Sequence, residues 1–272
     1  MSEVFDCTTP DGLAAGLLAA ARAVRDGQLV VLPTDTVYGI GADAFNAEAV
    51  TALLAAKGRG REMPPPVLVP NERTVDGLAR EVPTYVRALI SRFWPGALTV
   101  VVTSQPSLSW DLGETNGTVA IRMPDNEVAL SLLGDVGPMA VTSANLTGSP
   151  AARTAAEAQE QLGAAVAVYL DAGEATGTAA STILDCTGDA PRTLREGALP
   201  QSEVDEALAE AERLAAATRA AEEKKAAEAE KAAARLGRPP RGMPKPGPRP
   251  AVAPSPHRRP GRVAGQRRRP PS

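Results

Sequence analysis

Three short segments of this 272-residue chain carry side chains whose types and spacing suit the handling of anions. The first, Pro33-Thr34-Asp35-Thr36-Val37-Tyr38-Gly39, directly follows an apolar run. Polar side chains at the carboxyl end of a buried strand lie where open α/β sheets take ligands. Thr34 and Thr36 offer hydroxyls on one side and Tyr38 an amphipathic ring, although the same residues also suit a plain strand-to-turn junction. The second, Lys57-Gly58-Arg59-Gly60-Arg61, puts an ammonium point charge beside a planar guanidinium, with glycines that let a phosphate approach. For Lys57 the alternative is a charge complement to a helix C-terminus. The third, Thr142-Ser143-Ala144-Asn145-Leu146-Thr147-Gly148, again follows an apolar run. Its Ser, Asn and Thr oxygens and loop N–H groups can bind phosphate or approach a metal, or can simply close the strand as an Asx or Ser turn. Arg122, Arg195 and Ser181-Thr182 stand singly at strand ends and say little alone.

Composition narrows the chemistry. The one histidine, His257, lies in a proline-rich tail, so residues 1–200 hold no imidazole, and Ser-His-Asp, Cys-His and His-metal chemistry are excluded from the body. Cys7 and Cys186 are too few for a disulfide framework or thiolate cluster and fit a reduced compartment. The acidic N-terminus MSEVFDCTTPDG lacks the order of a signal peptide. No run approaches the roughly 20 apolar residues that span a bilayer. A soluble, cytoplasmic protein without a membrane partner is expected.

Positioning those segments requires a sheet. Leu13, Leu17, Leu18, Ala21 and Val24 recur at helical spacing before Gly27. Helical patterns also cover 47–57, 84–93, 127–133 and 154–162. Short apolar runs predict strands over 28–33, 66–69, 97–103, 118–122, 138–142, 165–170 and 182–185. Their interleaving without strict alternation predicts an α/β protein of the α+β type, a twisted mixed sheet with helices on its faces. Domain boundaries are expected at 1–200 for one folded body, 201–236 for an exposed or loosely docked Ala/Glu/Lys-rich helix, and 237–272 for a disordered basic Pro-rich tail. Residues 1–200 hold 13 basic and 23 acidic side chains, whereas 236–272 hold 10 basic and none acidic. Such a tail suits RNA or another polyanion, or serves only as a solubilising extension.

Taken in order, PTDTVYGIGADAF, AAKGRG, FWPGALTVVV, VAIRMPDN, VTSANLTG, STILD and LREGA resemble the motifs of the YrdC-like family, whose best-known members are threonylcarbamoyl-AMP synthases. The similarity covers about residues 10–200. It implies a YrdC-like fold and a nucleotidyltransferase that makes L-threonylcarbamoyladenylate and pyrophosphate from L-threonine, bicarbonate or CO2, and ATP with Mg2+. The product serves modification of adenosine 37 in tRNAs reading codons that begin with A, through a downstream threonylcarbamoyl transferase complex. The alternative within the family is an RNA-binding module without synthase activity.

Carried over position by position, the resemblance assigns Lys57, Arg59, Ser143 and Asn145 to catalysis and the ATP phosphates. Arg61, Thr118 and Arg195 join them at the nucleotide. Thr36, Arg122, Val141 and Ser181 are assigned to L-threonine, with Arg122 on its carboxylate. No protein side chain is assigned as a direct metal ligand, and Asp35 is left between organising magnesium and organising the amine. Glu62-Met63-Pro64-Pro65-Pro66 departs from the Asn-Pro or His-Pro pair of many relatives, which alters the threonine pocket more than the nucleotide site. Residues 201–272 are too polar and proline-rich to be the extra domain that some relatives carry, so the short single-domain form is expected.

Overall fold

A computed structural model describes residues 2–177 and 179–236, with only the backbone for 233–236. The basic Pro-rich segment 237–272 lies outside the described residues. The elements are β1 (Glu3–Asp6), α1 (Pro10–Arg25), β2 (Val30–Leu32), β3 (Gly39–Asp43), α2 (Ala47–Lys57), β4 (Val67–Leu68), α3 (Val75–Leu78), α4 (Thr84–Phe93), β5 (Leu98–Thr103), β6 (Thr118–Arg122), α5 (Glu127–Val136), β7 (Met139–Ser143), α6 (Ala155–Leu162), β8 (Val168–Asp171), β9 (Thr182–Asp185), β10 (Arg192–Arg195) and α7 (Gln201–Leu236). Four helices start where a side chain accepts one or two of their first free N–H groups: Thr9 for α1, Asn46 for α2, Asn126 for α5 and Thr154 for α6.

The strands form one mixed sheet in the order β1-β8-β2-β3-β7-β4-β6-β5-β9-β10. Alternation along each strand sends side chains to opposite faces. Val31, Ile40, Ala42, Ala140 and Tyr169 join one core, which also takes up α2, α4 and α6 residues. Val30, Leu32, Met139, Val141 and Leu170 join the other, closed by α1 and α5. The expected mixed α/β architecture is what the chain adopts.

Three strands carry no periodic signal of their own. β1 is acidic and mostly exposed, β10 is exposed at all four residues, and β3 reads GIGAD, whose two glycines disfavour a strand. β3 forms because β2 and β7 pair with it on both sides, both antiparallel. Contacts divide the chain into Met1–Ala220 and Ala221–Ser272. Within the first unit the packed body runs past residue 200: Val204 and Ala207 on the first turns of α7 are buried in the core. In the second, side chains 221–232 are exposed. No helix of the described residues is long and apolar enough to cross a membrane.

Candidate active site

The carboxyl ends of β2, β6 and β7, with the start of β9, surround a cleft of about 220 Å3. Three guanidiniums, those of Arg59, Arg122 and Arg195, stand on its walls. Each is delivered by a different local device.

Arg59 arrives by a helix stop. Gly58 takes the left-handed conformation (φ 61°), its N–H bonds to Ala55 O, and Arg59 N–H bonds to Leu54 O at 2.9 Å. This turn sends Lys57 and Arg59 in different directions. The Lys57 side chain is 1% exposed, and its Nζ donates to the Ser143 carbonyl, to the Asn145 carbonyl (2.5 Å) and to Asn145 Oδ1 (3.2 Å). Asn145 Nδ2 in turn donates to the carbonyls of Leu146 and Ser149, both at 2.8 Å. Lys57 and Asn145 therefore tie α2 to the loop after β7. Arg59 instead lines the cleft, where Nη1 donates to Thr142 Oγ1 at 3.2 Å. Its Nε is buried without a hydrogen-bond partner, one of two such side-chain atoms among the described residues. A buried donor left unpaired costs about 1–3 kcal/mol.

Arg122 ends β6 and is 7% exposed. Nε donates to Gly96 O (2.9 Å), Nη1 to Thr36 Oγ1 (3.0 Å) and Nη2 to Asp35 Oδ1 (2.5 Å). Burial lowers its pKa, Asp35 opposes that, and Arg195 adds to the lowering. Of its five N–H groups three are committed, leaving one on each terminal nitrogen, a pair suited to a carboxylate. Asp35 also accepts Asp125 N–H at 3.0 Å. Its carboxylate thus braces Arg122 and the turn at Asp125.

Ser181 Oγ and Thr99 Oγ1 share a hydrogen bond of 2.8 Å, and Arg195 reaches back from β10 to Ser181 O and Oγ at 2.7 and 3.2 Å through Nη2. Thr34 Oγ1 lies 3.0 Å from Thr36 Oγ1 and donates to Val37 O at 2.6 Å, which fixes the turn below Arg122. Among the described residues no group of three or more His, Cys, Asp or Glu side chains could hold a metal.

The Sua5/YciO/YrdC family model, described as telomere recombination, matches residues 22–197. The chain belongs to this family. A Mycobacterium tuberculosis protein provisionally named threonylcarbamoyl-AMP synthase is 54% identical over 208 residues, 76% of this chain and 96% of that one. Pyrococcus abyssi Sua5 complexed with L-threonine superposes with a TM-score of 0.71 at 32% identity, covering 76% of this chain. The chain spans 61% of the length of that longer protein. Escherichia coli YciO, at 24% identity and a TM-score of 0.65 over 74% of this chain and 98% of that one, shares the fold.

In this family member the cleft brings together Thr36, Arg59, Arg122, Val141, Ser143, Ser181 and Arg195. Lys57 and Asn145 stand directly behind it. Two residues read as nucleotide-binding lie apart from its walls. Arg61 is half-exposed and paired with Asp111 at 2.6 Å. Thr118 Oγ1 donates to Thr115 O at 2.8 Å, at the other end of β6 from Arg122 and roughly 13 Å along the strand. Thr142 of the third segment and Pro64 and Pro66 of the departing segment also stand on its walls, as does Thr99, which sequence reasoning did not single out. The signal for Thr99 was a polar residue inside the apolar run LTVVVT, 1% exposed in the fold.

Burial, and secondarily the nearby Arg59, push the Lys57 ammonium down to about 8. Between that value and the ordinary 10.5, the unfolded chain holds a proton that the folded chain has released, so unfolding free energy rises with pH across this window. Denaturant titrations should show the native chain gaining stability relative to Lys57→Met from pH 8 to 10.5. Parallel profiles would mean that Lys57 titrates at its ordinary value.

Proposed function

We propose that the protein is an L-threonylcarbamoyladenylate synthase acting on L-threonine, bicarbonate or CO2, and MgATP in the cytoplasm. The observation that carries this reading is the pairing, in one cleft, of two differently built cationic sites. Arg59, with its unpartnered buried Nε, stands beside Thr142 and Ser143, and Arg122, with two uncommitted N–H groups, stands beside Thr36 and Ser181. The first suits phosphate and the second an amino-acid carboxylate. The family relationship and the threonine complex of Pyrococcus abyssi Sua5 support the same substrate.

The chemistry needs no imidazole. The threonine amine captures CO2 as a carbamate, one carbamate oxygen attacks the α-phosphorus of ATP, and pyrophosphate leaves. Because the carbamate is already an anion, the protein's task is to place two anions in line and to neutralise charge on the transferring phosphoryl group. Arg122 holds the carboxylate, Thr36 and Ser181 orient the amino acid, and Arg59, Ser143 and Arg195 meet the phosphates. Lys57 and Asn145 hold the Ser143 loop from behind, and the Lys57 ammonium adds positive charge beneath it. Magnesium, brought in with ATP as part of the substrate, would offset charge on the triphosphate.

The test is pyrophosphate release from MgATP and bicarbonate, with and without L-threonine, with serine and alanine as controls. Threonine-dependent release is expected. Nucleotide binding without it would favour an RNA-binding module instead.

The adenylate would pass to a transferase complex that modifies adenosine 37 of tRNA, and the ten cations of residues 236–272 would contact that tRNA. Removing 237–272 should weaken tRNA binding and flatten its salt dependence while leaving adenylate synthesis intact. A cut at residue 199 would strip Val204 and Ala207 from the core, so loss of synthesis there would report on folding. Salt-insensitive tRNA binding by the full chain would argue against the tail contact.

A further inference from the structure

Strand β3 carries two glycines, Gly39 and Gly41, on the face opposite Ile40 and Ala42. Glycine in a strand interior is destabilising, and neither residue has the positive φ that would call for it. Space is the reason. A Cβ on Gly39 would lie 2.7 Å from Val141 Cγ1, with every other neighbour at 3.6 Å or beyond. A Cβ on Gly41 would lie 2.9 Å from Val141 Cγ2 and 3.0 Å from Met139 Cε. Gly41 is registered directly opposite Val141, and Gly39 opposite Ser143. The two methyls of one valine therefore occupy a furrow left by two glycines.

Val141 is 4% exposed, yet it forms part of the cleft wall with Pro66 and Leu68. Val141 N–H bonds to Pro66 O at 2.9 Å, and Leu68 is registered beside Arg122. An apolar patch thus runs from Val141 to the foot of the guanidinium that suits an amino-acid carboxylate. A substrate held there by its carboxylate would turn its side chain toward that patch.

We propose that Gly39 and Gly41 are specificity-determining residues: by leaving their furrow open they set Val141 at the depth where its isopropyl group receives the β-methyl of a β-hydroxy amino acid. This rests on the synthase reading and deepens it. A side chain at Gly39 would drive Val141 toward the cleft and fill the methyl's place. A smaller residue at 141 would leave the methyl without contact and bring threonine and serine closer to equal.

The experiment measures kcat/KM for L-threonine and L-serine by pyrophosphate release in the native chain, Gly39→Ala, Val141→Ala and the double variant. Val141→Ala is expected to lower the threonine-to-serine ratio about tenfold or more, the usual worth of one methyl group in a pocket, with the serine value little changed. Gly39→Ala should lose about tenfold on threonine. The double variant should lose no more on threonine than Val141→Ala alone, about tenfold rather than the hundredfold of two independent losses, because the new Cβ no longer meets Cγ1. An unchanged ratio in Val141→Ala, or a double variant that loses about a hundredfold on threonine, would overturn the proposal while threonine turnover stands. Should the native chain turn over no amino acid, the synthase reading itself fails, and this proposal with it.

Discussion

Arg59→Ala should lower threonine-dependent pyrophosphate release by about three orders of magnitude or more and leave the melting temperature nearly unchanged. The scale is that of a cation stabilising a transferring phosphoryl group. The unchanged stability follows from two terms that offset each other. Truncation loses the 3.2 Å bond to Thr142, worth about 1 kcal/mol, and removes a buried Nε without a partner, which costs about 1–3 kcal/mol while present. Arg59→Lys should recover only part of the activity, because a point charge cannot reproduce the planar fork. Assay and thermal melt together decide the matter. Full activity in Arg59→Ala would remove the residue from the nucleotide site, and a large fall in melting temperature would make its role structural.

The second large effect is on stability. Asp35→Ala leaves the Arg122 guanidinium buried with its carboxylate gone; the two side chains are 14% and 8% exposed. Breaking such a pair costs about 3–5 kcal/mol, which corresponds to a fall in melting temperature on the order of 10 °C for a body of this size. The turn at Asp125 also loses the acceptor for its N–H. The KM for threonine should rise, since Arg122 is then free to turn away from its place beside Thr36. Adding Arg122→Leu to Asp35→Ala should restore stability, by removing the unpaired charge, without restoring activity. Equilibrium unfolding and threonine saturation curves measure both. A native-like melt in Asp35→Ala would show that Asp35 does not hold the guanidinium.

Much of the site could be read from local pattern. The strand 118–122 ending in Arg122 and the helix 47–57 ending at Lys57 were both marked by their apolar period and stop signals, and the structure keeps those bounds. Contacts between distant residues had no local trace. The Thr99–Ser181 hydrogen bond joins residues 82 apart in sequence, and the Arg122–Asp35 pair joins residues 87 apart. Strand β3 was missed for a related reason. Its glycines weaken the propensity on which a strand is recognised, and the benefit they bring, space for Val141, belongs to another strand.

The sequence by itself determined the chemical inventory: a body without imidazole, a Lys-Gly-Arg helix stop, hydroxyl-bearing loops after apolar strands, and the ordered motifs of one family. Tertiary structure decided what each group faces. Lys57 and Arg59 are two cations two residues apart, alike to any rule of spacing. The left-handed turn at Gly58 separates them, and their surroundings come from strand β7 and its loop, more than 80 residues away. There the Ser143 and Asn145 oxygens enclose the ammonium completely, while the guanidinium meets one threonine hydroxyl and lines the cleft. A hydrogen bond needs its partner within about 3 Å, and only the folded sheet brings these segments that close.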